Sequence, residues 1–185
     1  TRKPFPHDKL KALQSECMKV DDEPRWLIAL VSDTGMRLGE AAGLAREDIV
    51  LDADIPHVII KPHPWRRLKT KGSQRVLPLV KSSLWAAKRA LEASQGHTHL
   101  FPRYCTDKEC KANSASAALN KWLKTVIGEG YVIHSFRHSI RDRLRAVNCP
   151  SEMIDQIGGW SKRSVGEGYG VGYSLEALAK WLGRV

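Results

Sequence analysis

The chain has 185 residues, 42% of them apolar, which is enough for one domain with a hydrophobic core and too many for a disordered segment. Lysine and arginine outnumber aspartate and glutamate by 30 to 20, a formal charge of +10; an excess of that size points to a polyanionic partner, nucleic acid first. No apolar run approaches the length of a membrane span and no signal peptide is visible, so a soluble protein is expected.

The segment TRKPFPHDKLKALQSECMKV sets Leu10, Leu13, Cys17 and Val20 at helical spacing behind Pro6, which predicts an amphipathic helix capped near His7–Asp8. PRWLIALVSDTG is strongly apolar and long enough for a buried helix ended by Gly35. A short helix is expected from about Leu38 to Leu44, with an acidic end at Glu47–Asp48. The pattern then changes. HVIIKPHPWRRLK and QRVLPLV are rich in β-branched residues and separated by TKGS, which predicts an antiparallel hairpin with a glycine turn whose second strand ends at Pro78. Helices return from Ser82 to about Ser94, in NSASAALNKWLKTVIG up to Gly128, in HSFRHSIRDRLRAVNC up to Pro150, in SEMIDQIGG and in SLEALAKWLGRV, while LFPRYC reads as an extended link. The sum is an α+β fold, mainly helical with one small antiparallel sheet.

Of the cysteines Cys17, Cys105, Cys110 and Cys149, only the CTDKEC pair is close in sequence. A C-x4-C pair with no second pair beside it is weak support for zinc, so reduced thiols are expected, with a local Cys105–Cys110 disulfide or metal clip as the lesser reading.

Gly35 ends one helix and Arg37, two residues on, opens the next, where backbone N–H groups gather anions. Glu40 lies three residues on, close enough to orient the guanidinium, although a surface Arg–Glu pair by itself is worth little. His134 and Arg137, in HSFRH, project from one face of a helical turn. A histidine moves protons near neutral pH, and an arginine holds two phosphate oxygens at once. A bare H-x-x-R is common, and His138 beside it dilutes the signal. Lys69 and Lys71 flank the hairpin turn, where a lysine either swings inward as a proton donor or stays solvated. In GGWSKRSVGEGYG, Trp160 follows two glycines and Tyr169 stands alone between glycines, an odd place for a core phenol. As a set, these residues suit phosphodiester transfer through a protein nucleophile. The phenolate attacks phosphorus and two arginines offset the charge that builds on its oxygens. A lysine protonates the departing 5′ hydroxyl, and a histidine manages the proton of the nucleophile. The cations are side chains, so the chemistry calls for no metal and no cofactor.

The motifs and their order resemble the tyrosine recombinase family, the phage integrases and their relatives. TGMRLGEAAGL resembles the family's first arginine box, with Arg37 and Glu40, and LKTKGSQRVLPL its hairpin lysine box. LFPRY and the NKWLK helix resemble the connecting segment, and HSFRH the His-x-x-Arg box. GGWSKRSVGEGYG resembles the last box, in which a His or Trp precedes the tyrosine by nine residues, as Trp160 precedes Tyr169. The resemblance runs from PFPHDKL to the last helix. It implies the catalytic-domain fold of that family and a site-specific recombinase, an integrase of a mobile element, that cuts and rejoins DNA through a 3′-phosphotyrosine without metal or ATP. Tyr169 is then the nucleophile, Arg37, His134 and Arg137 surround the phosphate, and Lys69 or Lys71 is the general acid, the spacing to Arg75 favouring Lys69. Trp160 stands where most members carry histidine; an indole donates one hydrogen bond and shuttles no proton, so it is expected to buttress. Arg66, Arg67, Arg75, Arg141, Lys162 and Arg163 are the further residues expected on DNA.

The partners implied are double-stranded DNA, other copies of the chain in a homotetramer on paired sites, and accessory DNA-bending proteins, with no membrane; the location implied is the bacterial cytoplasm or nucleoid. The family's N-terminal DNA-clamping domain has no counterpart in these residues, so 1–185 is expected to be a single catalytic domain excised from a longer protein. Two other readings stand beside this one: a catalytically silent DNA-binding relative and a type IB topoisomerase, which shares the chemistry.

Overall fold

The protein is seen in a computed structural model that describes residues 3–161 and 172–185. Lys162, Arg163 and Tyr169 lie outside the described residues. Helix α1 (His7–Val20) buries Leu10, Leu13 and Cys17. His7 and Asp8 form its first turn, and the cap is Pro6, which fits a position whose N–H would go unused. Val20 is exposed, because the chain leaves the helix at Asp21 (φ 52°) before the apolar stripe completes another turn.

Helix α2 (Glu23–Thr34) is the axis of the fold. Asp22 caps it by accepting from the Arg25 amide at 3.1 Å, and Gly35 closes it in the left-handed region at φ 70°. Every residue from Trp26 to Thr34 is buried, which is why this helix reads as apolar all round. It packs most extensively against α4 (Lys81–Ala93) and also touches α1, α3 (Leu38–Ala42), α5 (Ala112–Ile127) and α6 (Ser135–Ala146).

The sheet has order β1-β2-β3, from β1 (Ile49–Val50), β2 (His57–Ile60) and β3 (Arg75–Pro78), all antiparallel. Val58 faces Leu77 and Ile60 faces Arg75, so these four side chains share the buried face. TKGS does turn, the Ser73 amide donating to the Thr70 carbonyl at 3.1 Å, but it does not join the two strands directly. The strands separate after Ile60 and Arg75, and residues 61–74 form a longer excursion. Pro62 and Pro64 supply no ladder N–H. Instead, His63 and Arg66 exchange backbone hydrogen bonds of 3.1 Å, and a short 3-10 turn, Lys71–Ser73, leads into β3.

Helix α3 stops at Ala42 rather than at Leu44. Gly43 lies under the Arg66 stem, where a β-carbon would come within 2.7 Å of Arg66 Cγ. The acidic end beyond it is a separate 3-10 turn, Arg46–Asp48, and Asp48 is buried, accepting from the Ala45 amide at 2.9 Å and lying 2.7 Å from His63 Nε2. LFPRYC is a turn rather than an extended link. Leu100 and Phe101 are buried, the Tyr104 amide donates to the Phe101 carbonyl at 3.0 Å, and Cys105 and Cys110 are joined as a disulfide, the reading the sequence places second. Cys17 and Cys149 are free and buried. Helix α7 (Ser151–Gly158) closes at Gly159 (φ 68°), and α8 (Leu175–Leu182) packs Leu178 and Leu182 into the core beside β3. Among the described residues, no helix is long and apolar enough to cross a membrane.

Candidate active site

Helices α3 and α6 carry the residues singled out in the sequence, and Gly35 lets them meet. Its left-handed backbone ends α2, and a β-carbon there would fall 2.4 Å from Ile140 Cγ2. That close approach sets the start of α6 against the chain entering α3. Arg137 Nη1 consequently donates to the Gly35 carbonyl at 2.8 Å, and Nη2 donates to the Gly158 carbonyl at 2.8 Å. Burial, followed by the charge of Arg37, pushes Arg137 down to about 9. Two of its five N–H donors are held by these carbonyls.

Arg37 is the N-cap of α3. Its amide donates to Glu40 Oε1 at 2.8 Å, so it is capped from within rather than offered to an anion. Its Nη1 donates to Glu40 Oε2 and to Ser73 Oγ, both at 3.2 Å. Glu40 is only 3% exposed, so this is no surface pair. Burial raises the Glu40 carboxyl, but Arg75, with hydrogen bonds from Arg75 and the Arg37 amide, more than offsets it and holds the group below the usual carboxylate range.

His134 precedes α6 with helical dihedrals (φ −61°, ψ −22°), and its ring meets His138 edge-on at 5.4 Å. It lines a cleft of about 300 Å³ with Arg137, Leu38 and Gly39. A second cleft, of about 520 Å³, is lined by Arg37, Arg67 and Lys69 and shares Gly39 with the first. Lys71 lines neither. It opens on another hollow beside His63, Thr70 and Gln74. Trp160 follows the α7 cap, its amide donating to the Asp155 carbonyl at 2.8 Å. Its ring is half-buried beneath two guanidiniums, Arg141 at 4.0 Å and Arg137 at 4.6 Å from the ring centroid. Gly158 is required beneath it, since a β-carbon there would meet the indole at 2.0 Å.

Two expected DNA-binding arginines are internal. Arg75 is fully buried, with its guanidinium spread over Glu40, the Ser73 carbonyl and the Ile157 carbonyl. The strand alternation carried this signal, because Arg75 shares the face of Leu77. Arg66 is also buried, donating to the carbonyls of Lys61 and Gly43 and holding the 61–74 excursion on α3. Arg67 is exposed and borders the cleft, and Arg141 lies on Trp160. Ser73, which bonds both Arg37 and Thr70, carried no legible sequence signal.

The chain belongs to the phage integrase family, which it matches over residues 4–170. A search of curated proteins finds no match. Among solved structures, the chain is similar to the Tn1549 transposon integrase in complex with transposon right end DNA. The identity is 15% and the TM-score 0.64, over 96% of this chain and 60% of that one. It is also similar to the XerH site-specific recombinase bound to its difH substrate in a pre-cleavage complex, with 18% identity and a TM-score of 0.65, over 97% of this chain and 50% of that one. These likenesses establish the fold, the catalytic-domain fold of the tyrosine recombinases. The chain spans about half to three-fifths of the length of these structures.

Proposed function

We propose that this chain is the catalytic domain of a site-specific DNA recombinase that cuts and rejoins strands through a 3′-phosphotyrosine on Tyr169. The supporting observation is the convergence of Arg37, His134 and Arg137 on adjoining clefts that meet at Gly39, with Trp160 stacked under Arg137 at the start of the segment that carries Tyr169. In the first step the Tyr169 oxygen bonds to phosphorus as the bond to the 5′ oxygen breaks. A lysine supplies the proton that the 5′ oxygen takes up, and His134 takes part in moving the phenol's proton. Arg37 and Arg137 offset the charge on the non-bridging oxygens. The reverse step, attack of a 5′ hydroxyl on the phosphotyrosine, rejoins the strand. The phosphoester is conserved throughout, so ATP has no part in it. Arg67, Lys162 and Arg163 extend the contact along the duplex. Assembly is as a homotetramer on paired sites.

The direct test mixes the protein with fragmented double-stranded DNA, isolates DNA bound covalently to the protein and sequences it. A single recurrent site is expected. Adducts scattered without sequence preference would favour topoisomerase chemistry, and no adduct at all would leave a binding module.

The general acid is assigned by leaving group. Lys69 lines the cleft of Arg37 and Lys71 does not, which favours Lys69. DNA with sulfur at the bridging 5′ position needs no proton on departure. Lys69→Ala is expected to slow ordinary DNA strongly, by about a hundredfold or more, and sulfur-substituted DNA hardly at all. Lys71→Ala is expected to affect both substrates alike. Rescue of Lys71→Ala alone would reverse the assignment.

A further inference from the structure

We propose that Arg75 is a positioning residue that locks the lysine loop, the first arginine and the turn before Trp160 into one unit, a reading that rests on the recombinase chemistry proposed above. Arg75 touches no reacting atom, since it is wholly buried. Four of its five donors are committed, and they reach three separate parts of the chain. Nη1 and Nη2 each donate to a Glu40 oxygen at 2.9 Å. Nη1 donates to the Ser73 carbonyl at 2.5 Å, and Nε to the Ile157 carbonyl at 2.9 Å.

These bonds close a ring. Glu40 is shared by Arg75 and Arg37, and Ser73 is shared by the same two arginines, through its carbonyl to Arg75 and its hydroxyl to Arg37. Ser73 also accepts from the Thr70 amide, next to Lys69, so the ring reaches the lysine loop. On the other side, Arg75 abuts Gly159, where φ is 68° and a β-carbon would fall 2.6 Å from Arg75 Nη1. The glycine pair therefore answers two neighbours, with Gly158 admitting the Trp160 ring and Gly159 admitting Arg75. A bare counter-ion for Glu40 would need no bonds to Ser73 and Ile157. A planar fork that spans all three sites transmits position among them.

The test compares leaving groups in the full-length protein, using a nicked duplex that carries the covalently captured site, with oxygen or sulfur at the bridging 5′ position. Arg75→Lys keeps a cation beside Glu40, but one ammonium does not span the three partners. Non-covalent binding of the duplex is expected to be unchanged. Cleavage of ordinary DNA is expected to fall by about a hundredfold, the effect of ångström-scale misplacement, and the share of that loss due to the misplaced lysine is expected to return on sulfur DNA, while the share due to a shifted Arg37 stays on both substrates. Equal losses on the two substrates, or no loss on either, would overturn the proposal. If Arg75→Lys fails to fold, the pair Glu40→Gln with Arg75→Met removes both charges of the fully buried pair, leaves Arg37 a neutral amide at Glu40's place, and carries the same comparison. A greater loss on oxygen than on sulfur DNA supports positioning, and equality refutes it. Lys69→Ala and Lys71→Ala serve as controls. If sulfur rescues neither, the general-acid reading itself fails; if it rescues one of them but not Arg75→Lys, only the role of Arg75 fails.

Discussion

Replacing Tyr169 with phenylalanine is expected to abolish covalent attachment of DNA while non-covalent binding persists. The change removes one oxygen and leaves the ring, so it deletes the proposed nucleophile without touching Arg37, Arg137 or the basic residues proposed to lie along the duplex. The loss should be complete within detection, because the next phenol along the chain has its backbone tied to Gln156. Tyr173 is the nearest other phenol. Its backbone is held by Gln156, with the Tyr173 amide donating to Gln156 Oε1 at 2.9 Å and Gln156 Nε2 donating to the Tyr173 carbonyl at 3.1 Å. Denaturing gels of protein mixed with a nicked duplex measure the outcome. An adduct that survives Tyr169→Phe and disappears with Tyr173→Phe would move the nucleophile and end the argument from the spacing to Trp160.

Glu40→Ala is expected to produce the largest loss of stability. It leaves the wholly buried Arg75 guanidinium without its carboxylate, and stranding one partner of a buried pair costs about 3–5 kcal/mol. For a domain of this size, that corresponds to a fall in Tm of roughly 10 °C. The acid response should change too. The Glu40 carboxyl is held below its ordinary value in the folded protein, so its contribution is full above the ordinary carboxylate range and is lost as pH falls through the lowered value. Stability measured against pH should therefore drop on acidification in the parent and drop less in Glu40→Gln. A loss below about 1 kcal/mol in Glu40→Ala would mean that the pair is solvated after all.

The helices were largely legible because their causes are local. The apolar run of α2 and its Gly35 stop are neighbours in sequence, and the same holds for α5 up to Gly128 and α7 up to Gly159. The hairpin was legible as two strands but not in how they are joined, because Pro62 and Pro64 divert the chain and the excursion is then held by distant partners. Among these are Gly43, whose carbonyl accepts from Trp65 Nε1 at 2.9 Å, and Asp48, which pairs with His63.

What the sequence by itself determined was the order of the elements and the residue types capable of phosphoryl chemistry, since periodicity, capping and motif wording depend on near neighbours. It favoured Lys69 over Lys71 only through the spacing to Arg75, and it placed Arg75 among the residues expected on DNA. The tertiary structure adds what spacing could not. Lys69 shares a cleft with Arg37 while Lys71 opens elsewhere, and Arg75 is drawn inside by a carboxylate from α3 and a carbonyl from α7. An arginine's charge is the same at any position in the chain. Whether it meets a phosphate or a buried carboxylate depends on what packs around it, and for Arg75 those partners lie 35 and 82 residues away.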